Sequence, residues 1–153
     1  SAYRKAPFLS ETAPLLEDIY QFGDHNLFRF IAHSLQRIFA HLHIRTPLLI
    51  SSTIDIDHEL RGEEKVIALC KQLGASTYIN PPGGIDLYQP DHFSAQGIEL
   101  KFIRPHLSHY TQGAGEFAEA LSIIDLLMWV GAEEVKSEHL SATFIQAKTG
   151  VDT

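Results

Sequence analysis

Cysteine, methionine and tryptophan are nearly missing from this 153-residue chain, which carries one of each. The lone Cys70 excludes an internal disulfide and a multi-cysteine metal site, so nothing demands an oxidising compartment and a cytoplasmic location is expected. Cations are also scarce, 12 Lys and Arg against 19 Asp and Glu, for a formal net charge of -7. Scattered at that density they do not build the footprint that neutralises phosphates, which argues against a nucleic-acid partner. No run of about 18 apolar residues occurs, so no membrane span is expected, and the charged-then-apolar start of a secretory signal is absent.

What is present is ordinary globular material, 44% hydrophobic and 20% charged, enough for a single α/β domain over residues 1–153 with a frayed tail over 148–153. Ser10 or Thr12 is placed to cap a short helix through Leu15, Leu16 and Ile19. A second helix follows from a cap at Asp24. In it Leu27, Phe28, Ile31, Leu35, Ile38, Phe39 and Leu42 recur at three- and four-residue intervals, one stripe expected to face a core.

After Thr46-Pro47, the apolar run Leu48-Leu49-Ile50 reads as a strand buried on both faces and ending at Ser51-Ser52-Thr53. A helix from Glu63 to its stop at Gly74 leads to a second strand, Ser76 to Ile79, and then to a rigid turn through Pro81, Pro82, Gly83 and Gly84. A short helix over Tyr88 to Gln96 precedes a third strand alternating Ile98, Leu100 and Phe102 with polar positions, which suggests an edge. Residues 104–120 form a long irregular segment of the kind that covers a site or is disordered, and Leu121 to Val130 forms a buried helix. The expected fold is α/β: a small, mainly parallel three-stranded sheet with flanking helices, plus an N-terminal helical pair.

Parallel strands would bring Ser51, Ser52, Asn80 and the backbone amides of Gly83 and Gly84 to one carboxyl edge, where such sheets hold polar or anionic ligands. The same turn is also simply a tight strand-to-helix connection. It is not a phosphate loop, because the Lys-Ser/Thr pair is missing. Ser122 and Asp125 have the spacing of a capping box. Alternatively Asp125 points into a pocket as a base, a reading that gains weight if its carboxylate is buried and unpaired with its own helix. Tyr78, Tyr88, Tyr110 and Gln112 are candidates for lining a pocket, or for ordinary core packing. Nine histidines show no metal-ligand spacing, so neither a metal nor a cofactor is expected. Tyr3, Arg4 and Lys5 either contribute positive charge toward an anionic ligand or are simply solvated, and at the extreme end of the chain the second is preferred.

Four segments, Tyr3 to Phe8, Leu73 to Pro81 with Gly83-Gly84, Gly97 to Phe102, and Leu121 to Leu127, together resemble the bacterial WbqC-like family over nearly the whole chain. The resemblance implies a role in gene clusters for O-antigen and related surface polysaccharides, acting on an activated sugar or its substituents. Family members carry a Gln-Pro-x-Tyr segment ahead of the Arg-Lys-Ala-Pro region, so the chain is expected to be the carboxyl-terminal part of a longer protein. By resemblance Tyr78, Asn80, Gly83, Gly84, Gln112, Ser122 and Asp125 are the site residues. The expected function is part of a sugar-modifying transferase acting on a nucleotide-linked sugar with an acyl donor. The alternatives are a scaffold module for the pathway's enzymes and a nucleotide-binding regulatory domain. Self-association is left open.

Overall fold

The structure is a computed structural model and describes residues 3–113 and 115–146; the tail expected to fray, 148–153, lies outside the described residues. In chain order the elements are α1 (Leu9–Tyr20), α2 (Leu27–His41), α3 (Gly62–Gln72), β1 (Thr77–Asn80), α4 (Pro90–Ser94), β2 (Glu99–Pro105), α5 (Ile123–Trp129), α6 (Ala132–Glu134) and β3 (Ala142–Gln146). They divide into two compact units, one of residues 1–48 and 106–141, the other of residues 49–105 and 142–153.

The first unit is helical. Leu15 and Ile19 of α1, Leu42, and Leu127 and Val130 at the end of α5 form its core, with Phe30 and Ile38 of α2 packed against them. Burying a side chain of that size contributes about 1.5–3 kcal/mol. The expected N-terminal helical pair is therefore present, but its caps differ. α1 begins at Leu9, so Ser10 and Thr12 lie inside it. The Thr12 hydroxyl instead donates to the Leu127 carbonyl at 3.0 Å.

In α2 the cap is Asn26, whose side chain accepts from the Arg29 amide, while Asp24 pairs with the Arg29 guanidinium at 2.8 Å. The apolar stripe of α2 is wider than the face it buries. Leu27, Phe28, Ile31 and Leu35 are exposed, and the buried side runs instead through Phe30 and Ile38. His33 stacks on Phe22 with ring centroids 4.3 Å apart. The chain leaves α5 through Gly131, at φ 85° and ψ 161°, a conformation open essentially to glycine alone.

The second unit holds a three-stranded sheet among the described residues, ordered β1-β2-β3, with helices α3 and α4. β1 and β2 pair in parallel, Thr77 opposite Glu99 and Asn80 opposite Phe102. β3 runs antiparallel to β2, Phe102 opposite Ile145, so the small α/β sheet is mixed in direction. Phe93, Ile98, Leu100, Phe102 and Cys70 form its core.

Two strand expectations need correcting. Residues 48–50 are irregular, and Leu48, Leu49 and Ile50 are 41%, 62% and 42% exposed. The following residues form a 3-10 turn, Ser51–Thr53, in which both the Thr53 amide and its hydroxyl bond to the Ile50 carbonyl. That local bonding competes with a ladder, and three apolar residues after a proline are too few to resist it. The third strand of the sheet is Ala142–Gln146, whose Thr143, Phe144 and Ile145 suit a pleated surface. Its pairing places β2 at the centre rather than at an edge, which agrees with the burial of Leu100 and Phe102.

Candidate functional site

The ten residues expected to form a site fall in both units. Gln112, Ser122 and Asp125 belong to the first; Ser51, Ser52, Tyr78, Asn80, Gly83, Gly84 and Tyr88 belong to the second.

In the first unit Ser122 caps α5, its Oγ accepting from the Ile124 amide at 3.3 Å. Asp125 does not pair with the helix start. Its side chain is turned inward and only 5% of the residue is exposed, and the Tyr110 hydroxyl donates to Asp125 Oδ2 at 2.7 Å. Tyr3 also bonds to this carboxylate, so the residue expected to be solvated is part of the cluster. Burial, reinforced by the hydrogen bond to Asp125 and by its charge, pushes the phenols of both Tyr3 and Tyr110 above their ordinary range. A buried carboxylate holding two phenols is a polar centre inside an otherwise apolar core.

Gln112 braces the loop that carries Tyr110. Its Nε2 donates to the Ala118 carbonyl at 2.9 Å and its Oε1 accepts from the Ala118 amide at 2.8 Å. The segment between β2 and α5 is therefore irregular, as expected, but tied to itself. Phe117 adds contacts to His109 and Tyr110, with ring centroids 4.1 and 5.5 Å away.

This loop and the turn after α6 enclose a small cleft of about 50 Å³, walled by Leu107, Phe117 and Leu121 and bearing the polar groups of Ser108, Tyr110 and His139. Ser108 Oγ lies 2.5 Å from His139 Nδ1. His139 ends a π-helical turn, Val135–His139, a geometry found frequently at functional sites. Neither Ser108 nor His139 was recognisable in the sequence, because 31 residues separate them and no motif joins them.

In the second unit the Pro82–Gly84 turn follows β1 and Pro81. The Gly84 amide donates to the Pro81 carbonyl at 3.1 Å, so that donor is turned inward rather than offered to an anion. A Cβ at Gly84 would meet Asn80 Nδ2 at 2.1 Å and Tyr88 at 3.2 Å; glycine is what lets Asn80 fold over the turn. Tyr78 and Tyr88 pack edge to face, and Tyr78 stacks on Phe93 at 5.6 Å. Burial first, then the hydrogen bond with Tyr88, raises the Tyr78 phenol far above its ordinary value. Both tyrosines thus pack against the sheet core. Ser51 and Ser52 open the exposed 3-10 turn and do not finish a strand beside β1.

Glu63 of α3 accepts from the Gln89 amide at 2.6 Å and lies 2.5 Å from His92 Nδ1. Among the described residues no group of three or more His, Cys, Asp or Glu side chains is placed to hold a metal ion, and no helix is long and apolar enough to cross a membrane.

A small α/β protein with a braced loop over a buried carboxylate is the class that these features define. The chain belongs to the WbqC-like protein family, whose model matches residues 1–137. Comparison with curated proteins and with solved structures finds no match.

Proposed function

We propose that the chain works in the cytoplasm as part of a transferase that modifies an activated, nucleotide-linked sugar of bacterial O-antigen or related surface-polysaccharide biosynthesis. The observation that carries this reading is the Asp125 carboxylate, 5% exposed and bonded to Tyr110, whose ring lines the cleft. Because the Tyr110 hydroxyl donates its proton to Asp125, the lone pair of its oxygen not taken by the Gln112 side chain is left to accept from an N-H or O-H of a bound sugar. Asp125 fixes the direction of that acceptor, and Gln112 and Ser122 hold the loop and the helix start that carry the pair. Independently, within the second unit taken by itself, Asn80 and the Gly83 amide are proposed as contacts for a polar ligand.

Thermal unfolding in the presence of nucleotide sugars and acyl thioesters tests the proposal. A ligand that binds only the folded chain at about 100 times its Kd adds about 2.7 kcal/mol of stability, and Asp125→Asn is expected to abolish the shift. The absence of a shift with every compound counts against it.

A second reading, a module that recruits other enzymes of the pathway, is favoured by the contiguous exposure of Leu27, Phe28, Ile31 and Leu35 on α2. Co-purification with another enzyme of the pathway, lost on Phe28→Glu, distinguishes it.

A further inference from the structure

The cleft of the first unit contains a serine hydroxyl hydrogen-bonded to an imidazole. We propose that Ser108 is a catalytic nucleophile activated by His139, and that it accepts a short acyl group from a thioester or comparable activated ester. Three observations converge on it.

The first is distance. Ser108 Oγ and His139 Nδ1 are 2.5 Å apart; with the ring proton on Nε2, Nδ1 accepts the hydroxyl proton, which is the polarity a general base requires. The second is positioning of the base. His139 ends the π-helical turn Val135–His139, its ring edge-on to Tyr110 with centroids 5.8 Å apart, and Tyr110 is itself anchored to Asp125. The imidazole is thereby backed by an aromatic wall that cannot swing freely.

The third is the size and polarity of the space. A volume of about 50 Å³ holds roughly three to five water-sized bodies at 10–15 Å³ each. That is room for an acetyl group. Leu107, Phe117 and Leu121 offer its methyl an apolar wall, and Ser108 is exposed, so the donor reaches it from solvent. His139 lies just beyond the family match of residues 1–137, so the pair is argued from this chain alone.

The chemistry balances in two steps. The Ser108 oxygen attacks the thioester carbonyl carbon while its proton passes to His139 Nδ1. The carbon-sulfur bond breaks, the electron pair leaves on sulfur, and His139 returns the proton to it, giving an acyl-serine and a free thiol. An amine then attacks the ester carbon, the carbon-oxygen bond to Ser108 breaks, and a proton from the amine reaches Ser108 Oγ through His139. Only the second step rests on the proposed sugar acceptor.

The full chain is treated with p-nitrophenyl acetate and with a fluorophosphonate, and the modified peptide is mapped by mass spectrometry. One label per chain at Ser108 is expected, none in Ser108→Ala, and labelling slowed at least about 100-fold in His139→Asn, the size of a general-base contribution. Unfolding midpoints of both variants matching the parent chain rule out a folding defect, as the exposure of Ser108 leads one to expect. No label at Ser108, or equal labelling rates in the parent chain and His139→Asn, overturns the proposal. Labelling at Ser108 without any nucleotide-sugar stabilisation upholds the nucleophile and refutes the sugar acceptor. Stabilisation without labelling does the reverse.

Discussion

Thr12 Oγ1 donates to the Leu127 carbonyl at 3.0 Å, and Thr12 is completely buried. The carbonyls in the last turn of a helix have no partner within it, and this threonine supplies one for α5 from α1. Thr12→Val keeps the shape and removes the donor, leaving a buried carbonyl unpaired. A loss of about 1–3 kcal/mol is expected, read as a lower midpoint in urea with an unchanged slope.

Gly131→Ala is expected to cost more. The position has φ 85° and ψ 161°, which alone carries about 1–3 kcal/mol for a residue with a side chain. A Cβ there would also meet the Phe8 ring at 2.5 Å. Calorimetry of the single variant and of the double variant Gly131→Ala, Phe8→Ala separates the two contributions: the double variant relieves the clash and keeps the backbone strain.

Much of this was legible in the sequence. The parallel pairing of β1 with β2 follows from the Gly74 stop, the proline-glycine turn and the alternation after Gly97, all local signals. The burial of Asp125 was one of two outcomes that its three-residue spacing from Ser122 allowed, and only tertiary contact with Tyr3 and Tyr110 chose between them. Leu48 to Ile50 misled because an apolar run does not announce whether a partner strand exists. β3 was missed because five residues near the end of the chain carry too little pattern to stand out. The Ser108 and His139 pair was unreadable, since it depends on where a long loop returns.

Asp125→Asn retains an oxygen that accepts from one phenol and removes the negative charge. Stability is expected to fall by about 1–3 kcal/mol without loss of the fold, as far-ultraviolet circular dichroism will report. The phenols of Tyr3 and Tyr110, now raised by burial and by Asp125, should titrate earlier in the variant. Because their folded values lie above the unfolded value, the stability they contribute is complete below the unfolded value. It is lost as pH rises through the folded values. Phenolate absorbance followed into alkali measures both effects, and a titration identical to the parent chain would contradict the linkage.

Glu63 behaves oppositely. Burial works to raise its pKa, yet the hydrogen bonds from the Gln89 amide and His92, with the charge of His92, bring it below the ordinary 4.5. Stability from this carboxylate is therefore present above the unfolded value and lost as pH falls through the folded one. Glu63→Gln is expected to destabilise by on the order of 1 kcal/mol at neutral pH, the lower end for a charged hydrogen bond because His92 is largely exposed. Denaturant midpoints of the two proteins should converge in acid.

In the order β1-β2-β3 the first strand has a neighbour on one side only among the described residues. A row of amides and carbonyls on the other side is a template to which a stranger's extended chain can zip. Four residues and an immediate Pro81, which has no amide hydrogen to give, keep that template short. Lengthening the strand by replacing Pro81 would remove the safeguard, and self-assembly into insoluble ribbons is the penalty to look for.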